Sequence, residues 1–232
     1  MSDLHVMSAG AAKGLVLGLQ SDVERDLGVT LQAAFGAVGA MLERLNTGAA
    51  CDAIILTRVM LDVLARDGRV EPRIADIGWV HTGVAVAHGA TVRPVDDVPA
   101  VRAVLEPARA IYLPDPERAT AGIHALRVLK TLGLPDLEAR LRTFPNGAAA
   151  MAALAQQADP DAVGITQVSE ILYTPGVQLL GALPAPHGLA TLYSAAVMRG
   201  AANSGAAQQL VERLCAPSGA RWRQQRGFEA TA

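Results

Sequence analysis

A chain of 232 residues that is 51% hydrophobic is long and apolar enough to bury one or two cores. Only 3% of it is aromatic, so the interior must be built from Ala, Val, Leu and Gly, which suits helices packed on sheets. The formal charge of −2, with no long basic run, excludes nucleic acid as an expected partner; the one basic excess, at 221–226 (RWRQQR), reads as a solvated helix face before it reads as a binding patch.

The elements follow in chain order. Leu4–Ser8 reads as a strand, Ala11–Leu27 as a helix, Thr30–Ala34 as a strand and Val38–Thr47 as a helix. The unbroken apolar run in Asp52–Thr57 predicts a buried strand, and Val59–Asp67 a helix closed by Gly68. A long strand runs through GWVHTGVAVAHG at 78–89. Next come a helix at Val98–Leu105, a strand at Ala110–Leu113, helices at Ala121–Gly133 and Leu137–Leu141, and a short strand at Thr143. Ala148–Gln157 is predicted as helix, Ala162–Thr166 as strand, Ser169–Tyr173 as a short helix and Val177–Leu183 as strand, with Pro184 and Pro186 marking the turn that follows. Strand and helix alternate throughout, the pattern of an α/β fold with parallel pairing.

Several absences narrow the chemistry. No apolar run approaches the about 18 residues of a membrane-crossing helix, so no membrane insertion is expected. The first strand starts near Leu4, with no basic segment and apolar core of a secretory signal ahead of it, which predicts a cytoplasmic location, or a periplasmic one if such a segment had been removed. Cys51 and Cys215 suit a reducing compartment as small apolar residues. No His, Cys or carboxylate spacing suggests a metal, and S-A-G-A-A-K-G matches neither nucleotide fingerprint, so no cofactor is expected.

Ordered blocks along nearly the whole chain carry a resemblance. They are LHVMSAGAAKGLV at 4–16, FGAVGAMLERLNTGAACDAIILT at 35–57, DPERATAGIHALRVLKTLGL at 115–134, PNGAAAM at 145–151, VGITQVSEILYTPGV at 163–177 and TLYSAAVMRG through RQQRGFE at 191–229. In order and spacing the chain resembles the molybdate-binding-protein-like family of type 2 periplasmic solute-binding proteins, the substrate-binding proteins of ABC transporters. Some similar members are aconitate isomerases. The resemblance implies a two-lobed fold, each lobe a mostly parallel sheet flanked by helices. Lobe one would hold 1–80 with 190–232 and lobe two 81–189, joined by crossing hinge strands, with ligand in the interlobe cleft.

In such a fold the ligand meets strand-to-helix turns, whose backbone N–H groups hold anions. The residues at those turns are Ser8, Ala9, Gly10, Ala11, Ala12 and Lys13, then Gly36, Ala37, Val38, Gly39 and Thr57 in the first lobe. In the second they are Thr120, Ala121, Asn146, Gly147, Thr166 and Gln167. The family's molybdate binders carry serines in the first two turns and a tyrosine where Gln167 stands. Here hydroxyls are lost and Lys13 is gained, which favours carboxylates or a more anionic ligand.

Four titratable groups have two readings each. His81 and His124 are structural histidines or proton carriers, Asp115 is a turn residue or a site acid, and Glu170 lies in the cleft or on the surface. Two functions follow. The first is a receptor or cytoplasmic sensor for a small carboxylate or oxyanion, with a transporter permease as partner only if the protein is exported. The alternative is an isomerase of a di- or tricarboxylate, moving a proton across three carbons in the same cleft with His81 or Glu170 as the base.

Overall fold

The computed structural model describes residues 2–157 and 159–231. In chain order it forms β1 (Ser2–Ala9), a 3-10 turn (Gly10–Ala12), α1 (Lys13–Leu27), β2 (Val29–Gly36), α2 (Val38–Asn46), β3 (Ala53–Thr57), α3 (Arg58–Arg66) and β4 (Val70–Ala87). There follow α4 (Val98–Leu105), β5 (Ala110–Pro114), α5 (Thr120–Leu132), α6 (Leu137–Arg140), β6 (Leu141–Phe144) and α7 (Gly147–Gln157). The chain continues with β7 (Ala162–Gln167), α8 (Val168–Tyr173), β8 (Val177–Ala182), β9 (Ala190–Met198), α9 (Ser204–Cys215) and α10 (Ala220–Gln224).

Local chemistry accounts for many of these bounds. At α4 the Asp97 carboxylate accepts the Ala100 N–H at 2.8 Å and Pro99 stands in the first turn, a start signal that needs no tertiary help. Gly28 and Gly133 end α1 and α5 in the left-handed region, at φ 64° and 63°. The strand expected at 78–89 begins earlier, at Val70. Glu71, Pro72 and Arg73 in that extension are exposed, so no apolar alternation announces it. The opening turn also differs from expectation, because a 3-10 turn precedes α1 where continuous helix was predicted from Ala11.

Two compact units divide the chain, Met1–Val80 with Thr191–Ala232, and His81–Ala190. In the first, β1 pairs in parallel with β2 and β3, while β9 returns antiparallel to β3. In the second, β5 pairs in parallel with β6 and β7, while β7 and β8 both run antiparallel to β4. Parallel pairs form the body of each sheet, as expected, and the return strands β4, β8 and β9 add antiparallel pairs to them. The hydrogen-bonded order is β2-β1-β3-β9-β4 in the first unit and β4-β7-β5-β6 in the second, with β8 also on β4, and β4 contributes residues to both units.

The second unit's sheet is buried on both faces. Val84, Val86, Val163 and Ile165 meet Ala125, Val128 and Leu129 of α5 on one face. Ala85, Ala110, Tyr112 and Ala162 meet Ala150, Met151 and Leu154 of α7 on the other. Each fully buried Val or Leu contributes about 1.5–3 kcal/mol by leaving water, so these faces hold the turns above them in place.

Candidate functional site

In the first unit the ends of β1 and β2 feed helices that begin without side-chain caps. Gly10, Ala11 and Ala12 are buried, and neither Ala9 nor Ala12 supplies a capping group to the turn or to α1. Ala37 precedes α2 in the same manner, with Val38 buried and Gly39 half-buried. Free N–H groups at such starts carry partial positive charge. The Lys13 ammonium lies 5.8 Å from the Phe35 ring centroid. Ser8 is fully buried, and its hydroxyl donates to the Ala9 carbonyl at 2.9 Å. Thr57 is used differently: its hydroxyl oxygen accepts the Met60 N–H at 3.4 Å and caps α3. Arg58 beside it is held by Asp62 at 2.8 Å and by Asp76 at 2.9 Å, and Ser194 donates to the same Asp76 at 2.7 Å.

The second unit contains two contrasting helix starts. At α7, the Asn146 side-chain oxygen accepts the Ala149 N–H at 2.9 Å. The Glu170 carboxylate, 5% exposed, accepts the Thr166 hydroxyl at 2.6 Å together with the backbone N–H groups of Gly147, Ala148 and Gln167. Gly147 makes this possible, since a Cβ there would collide with the Glu170 Oε2 and Thr166 Oγ1 atoms. Burial pushes the Glu170 carboxyl above its ordinary 4.5, against hydrogen bonds that favour the ionised form. The sequence left Glu170 between cleft and surface; at 5% exposed it is not a surface residue, and its carboxylate is held by the α7 amides.

At α5 no side chain caps the first turn, and Thr120 and Ala121 open it. Asp115 is a turn residue, accepting the N–H groups of Glu117 and Arg118 at 2.8 and 3.1 Å. His124 has a structural contact, Nε2 to the His187 carbonyl oxygen at 2.7 Å, in which the ring nitrogen must donate. His81, half-buried on β4, is the first residue of the second unit. Thr166 and Gln167 end β7, both buried.

Sequence reasoning missed three buried hydroxyls that have no hydrogen-bond partner: Thr82, Ser169 and Thr191. A threonine in an apolar strand carries no local signal that its hydroxyl will be left over. A groove of about 240 Å³ in the second unit, lined by Val86, Arg93, Val104, Pro107, Asp161 and Leu180 among others, contains none of the candidate ligand or catalytic residues. Among the described residues no group of His, Cys, Asp and Glu could hold a metal ion. Both cysteines are free, and burial pushes the Cys51 and Cys215 thiols to about 12 and about 11, which leaves them unreactive at neutral pH.

This arrangement of mixed sheets and uncapped strand-to-helix turns defines a class. Residues 4–229 match the bacterial extracellular solute-binding protein family, and the chain belongs to it. The fold is that of the type 2 periplasmic binding proteins. The periplasmic molybdate-binding protein of Azotobacter vinelandii superimposes with a TM-score of 0.79 at 18% identity, covering 99% of this chain and 100% of that one. The sulfate-binding protein SubI of Mycobacterium tuberculosis gives 0.70 at 16% identity, with 98% and 86% coverage. A curated relative, an aconitate isomerase from Pseudomonas, is 26% identical over 230 residues, which is 95% of this chain and 85% of the relative. The family resemblance carried by the sequence blocks is thereby borne out for family and fold.

Proposed function

We propose that this protein binds a small anionic solute and that uncapped helix N-termini supply the donors: those of α1 and α2 in the first unit, and that of α5 in the second. The observation that carries this reading is a contrast. α3, α4 and α7 are capped by the side chains of Thr57, Asp97 and Asn146, and the uncapped α6 and α8 carry Glu138 and Glu170 in their first turns, whereas α1, α2 and α5 have neither a side-chain cap nor a first-turn acid, a condition that α9 and α10 share. Unspent amides and a helix dipole favour an anion, and Lys13 at the start of α1 adds a full positive charge suited to a carboxylate. The structural likeness to a molybdate-binding and a sulfate-binding protein supports an oxyanion-type ligand. A membrane permease would be the partner if the protein is exported.

Thermal unfolding in molybdate, sulfate and a series of di- and tricarboxylates tests the reading. A ligand at 100 times its dissociation constant should stabilise the fold by about 2.7 kcal/mol. No shift with any of these anions would refute it.

The similarity to an aconitate isomerase over 230 residues favours a second reading, in which the bound tricarboxylate is isomerised. A base takes a proton from one carbon and returns it to another while hydrogen-bond donors stabilise the enolate-like charge. Since the Glu170 carboxylate is engaged with α7, His81 carries the base role in this reading. Solvent deuterium should then enter the carbon skeleton of a bound tricarboxylate and cease to do so in His81→Gln. Tight binding without exchange would leave the receptor reading alone.

A further inference from the structure

The α7 start shows which chemistry a helix end of this unit accepts. There, helix amides and a threonine hydroxyl, Thr166, together hold a carboxylate, that of Glu170. The α5 start has the same kinds of donor without an internal carboxylate. It has no side-chain cap; of the two acids that precede it, Asp115 accepts the N–H groups of Glu117 and Arg118, and Glu117 is exposed. Thr120 stands in the first turn of α5 itself, and the fully buried threonine on this side is Thr82.

Sheet geometry places Thr82 toward that end. Thr82 lies directly opposite Gln167 in the antiparallel β4/β7 pair, so the two side chains share a face. Two residues on, Val84 opposes Ile165 on the same face, and both pack in the core cluster that contains Ala125 and Leu129 of α5. The extra residue of the bulge, Leu180, sits on β8, so the alternation of β4 is undisturbed. Because β5 and β7 are parallel, their C-terminal ends lie at one edge. Gln167 ends β7 at that edge, and α5 starts just beyond the end of β5. The Thr82 side chain is therefore on the α5 face and level with its N-terminus.

The Thr82 backbone is satisfied, its N–H donating to Leu189 O and its carbonyl accepting from Leu183 N–H, each at 2.9 Å. Its hydroxyl is fully buried and meets no protein acceptor. A buried hydroxyl left in this condition forgoes a hydrogen bond, and such exceptions in native structures have a cause.

We propose that the Thr82 hydroxyl donates a hydrogen bond to a carboxylate group of the solute held at the α5 N-terminus, making Thr82 a specificity-determining residue and the solute a carboxylic acid. This inference rests on the anion-binding reading above. The test is titration calorimetry of the full chain with citrate, trans-aconitate, sulfate and molybdate, on wild type, Thr82→Val and Thr82→Ser, with melting temperatures of each protein without ligand.

The expected result is that Thr82→Val weakens carboxylate binding about tenfold or more, the loss of one hydrogen bond to a charged group. Thr82→Ser stays within about threefold of wild type by the same reckoning. The ligand-free melting temperature of Thr82→Val is unchanged or higher, since a methyl replaces an unbonded hydroxyl. Equal carboxylate affinity in Thr82→Val, or a lower ligand-free melting temperature with the ligand-induced shift intact, overturns the role of Thr82 by making the hydroxyl structural. Tighter binding of sulfate or molybdate than of either carboxylate overturns the solute class. A wild-type protein that binds none of the four refutes the anion reading itself, a failure visible before any variant is compared.

Discussion

Gly147 shows at the scale of one residue how a missing side chain admits a charge. With no Cβ in the way, the Glu170 carboxylate reaches the α7 amides; with one, it would meet Oε2 and the Thr166 hydroxyl oxygen. Gly147→Ala should cost about 2–4 kcal/mol, since a buried carboxylate would lose its partners. Gly205 near the start of α9 provides the contrast, because a Cβ there meets nothing within 4 Å. Gly205→Ala should be neutral or stabilise by up to about 1 kcal/mol. Urea denaturation of the two variants measures both, and equal stabilities would show that Glu170 relaxes at no cost.

Among the elements, α1 and α7 handle their opening amides in opposite ways. α7 satisfies its own with Asn146 and Glu170, whereas the first turn of α1 has no acid and no side-chain cap but begins with Lys13. The charge on Lys13 therefore reinforces the dipole of α1 instead of cancelling it. Lys13→Ala should weaken carboxylate binding by about 1–3 kcal/mol, with the deficit shrinking at high salt. Calorimetry in low and high salt checks this, and an unchanged dissociation constant would remove Lys13 from the site. Elements with local signals were legible in advance: α4 from its Asp97 cap and Pro99, and β3 from an apolar run that is buried on both faces. The first half of β4 was not, because exposed Glu71, Pro72 and Arg73 give it no periodicity.

For the whole molecule, Glu170 links folding to pH. Its native pKa lies above the ordinary 4.5, so the folded state binds this proton more tightly than the unfolded state does. Its contribution to stability is full below 4.5 and is lost as pH rises through the native value. Urea midpoints taken from about pH 4 to about pH 8 should therefore fall with rising pH more steeply in wild type than in Glu170→Gln. Parallel curves would show that the carboxyl titrates alike in both states.

The family and the order of elements were settled by the sequence alone, since hydrophobic period, caps and turn residues act over a few positions and the matching blocks run from 4 to 229. The small-residue turns at Gly10–Lys13 and Ala37–Gly39 were legible for the same reason. Only the tertiary structure decided where Glu170 and Thr82 belong. Glu170 meets amides 23 residues earlier in the chain, at Gly147, and Thr82 faces Gln167 across a strand pair. Those partners are brought together by packing on the sheet, and no local pattern of residues encodes which hydroxyl will find an acceptor and which will not.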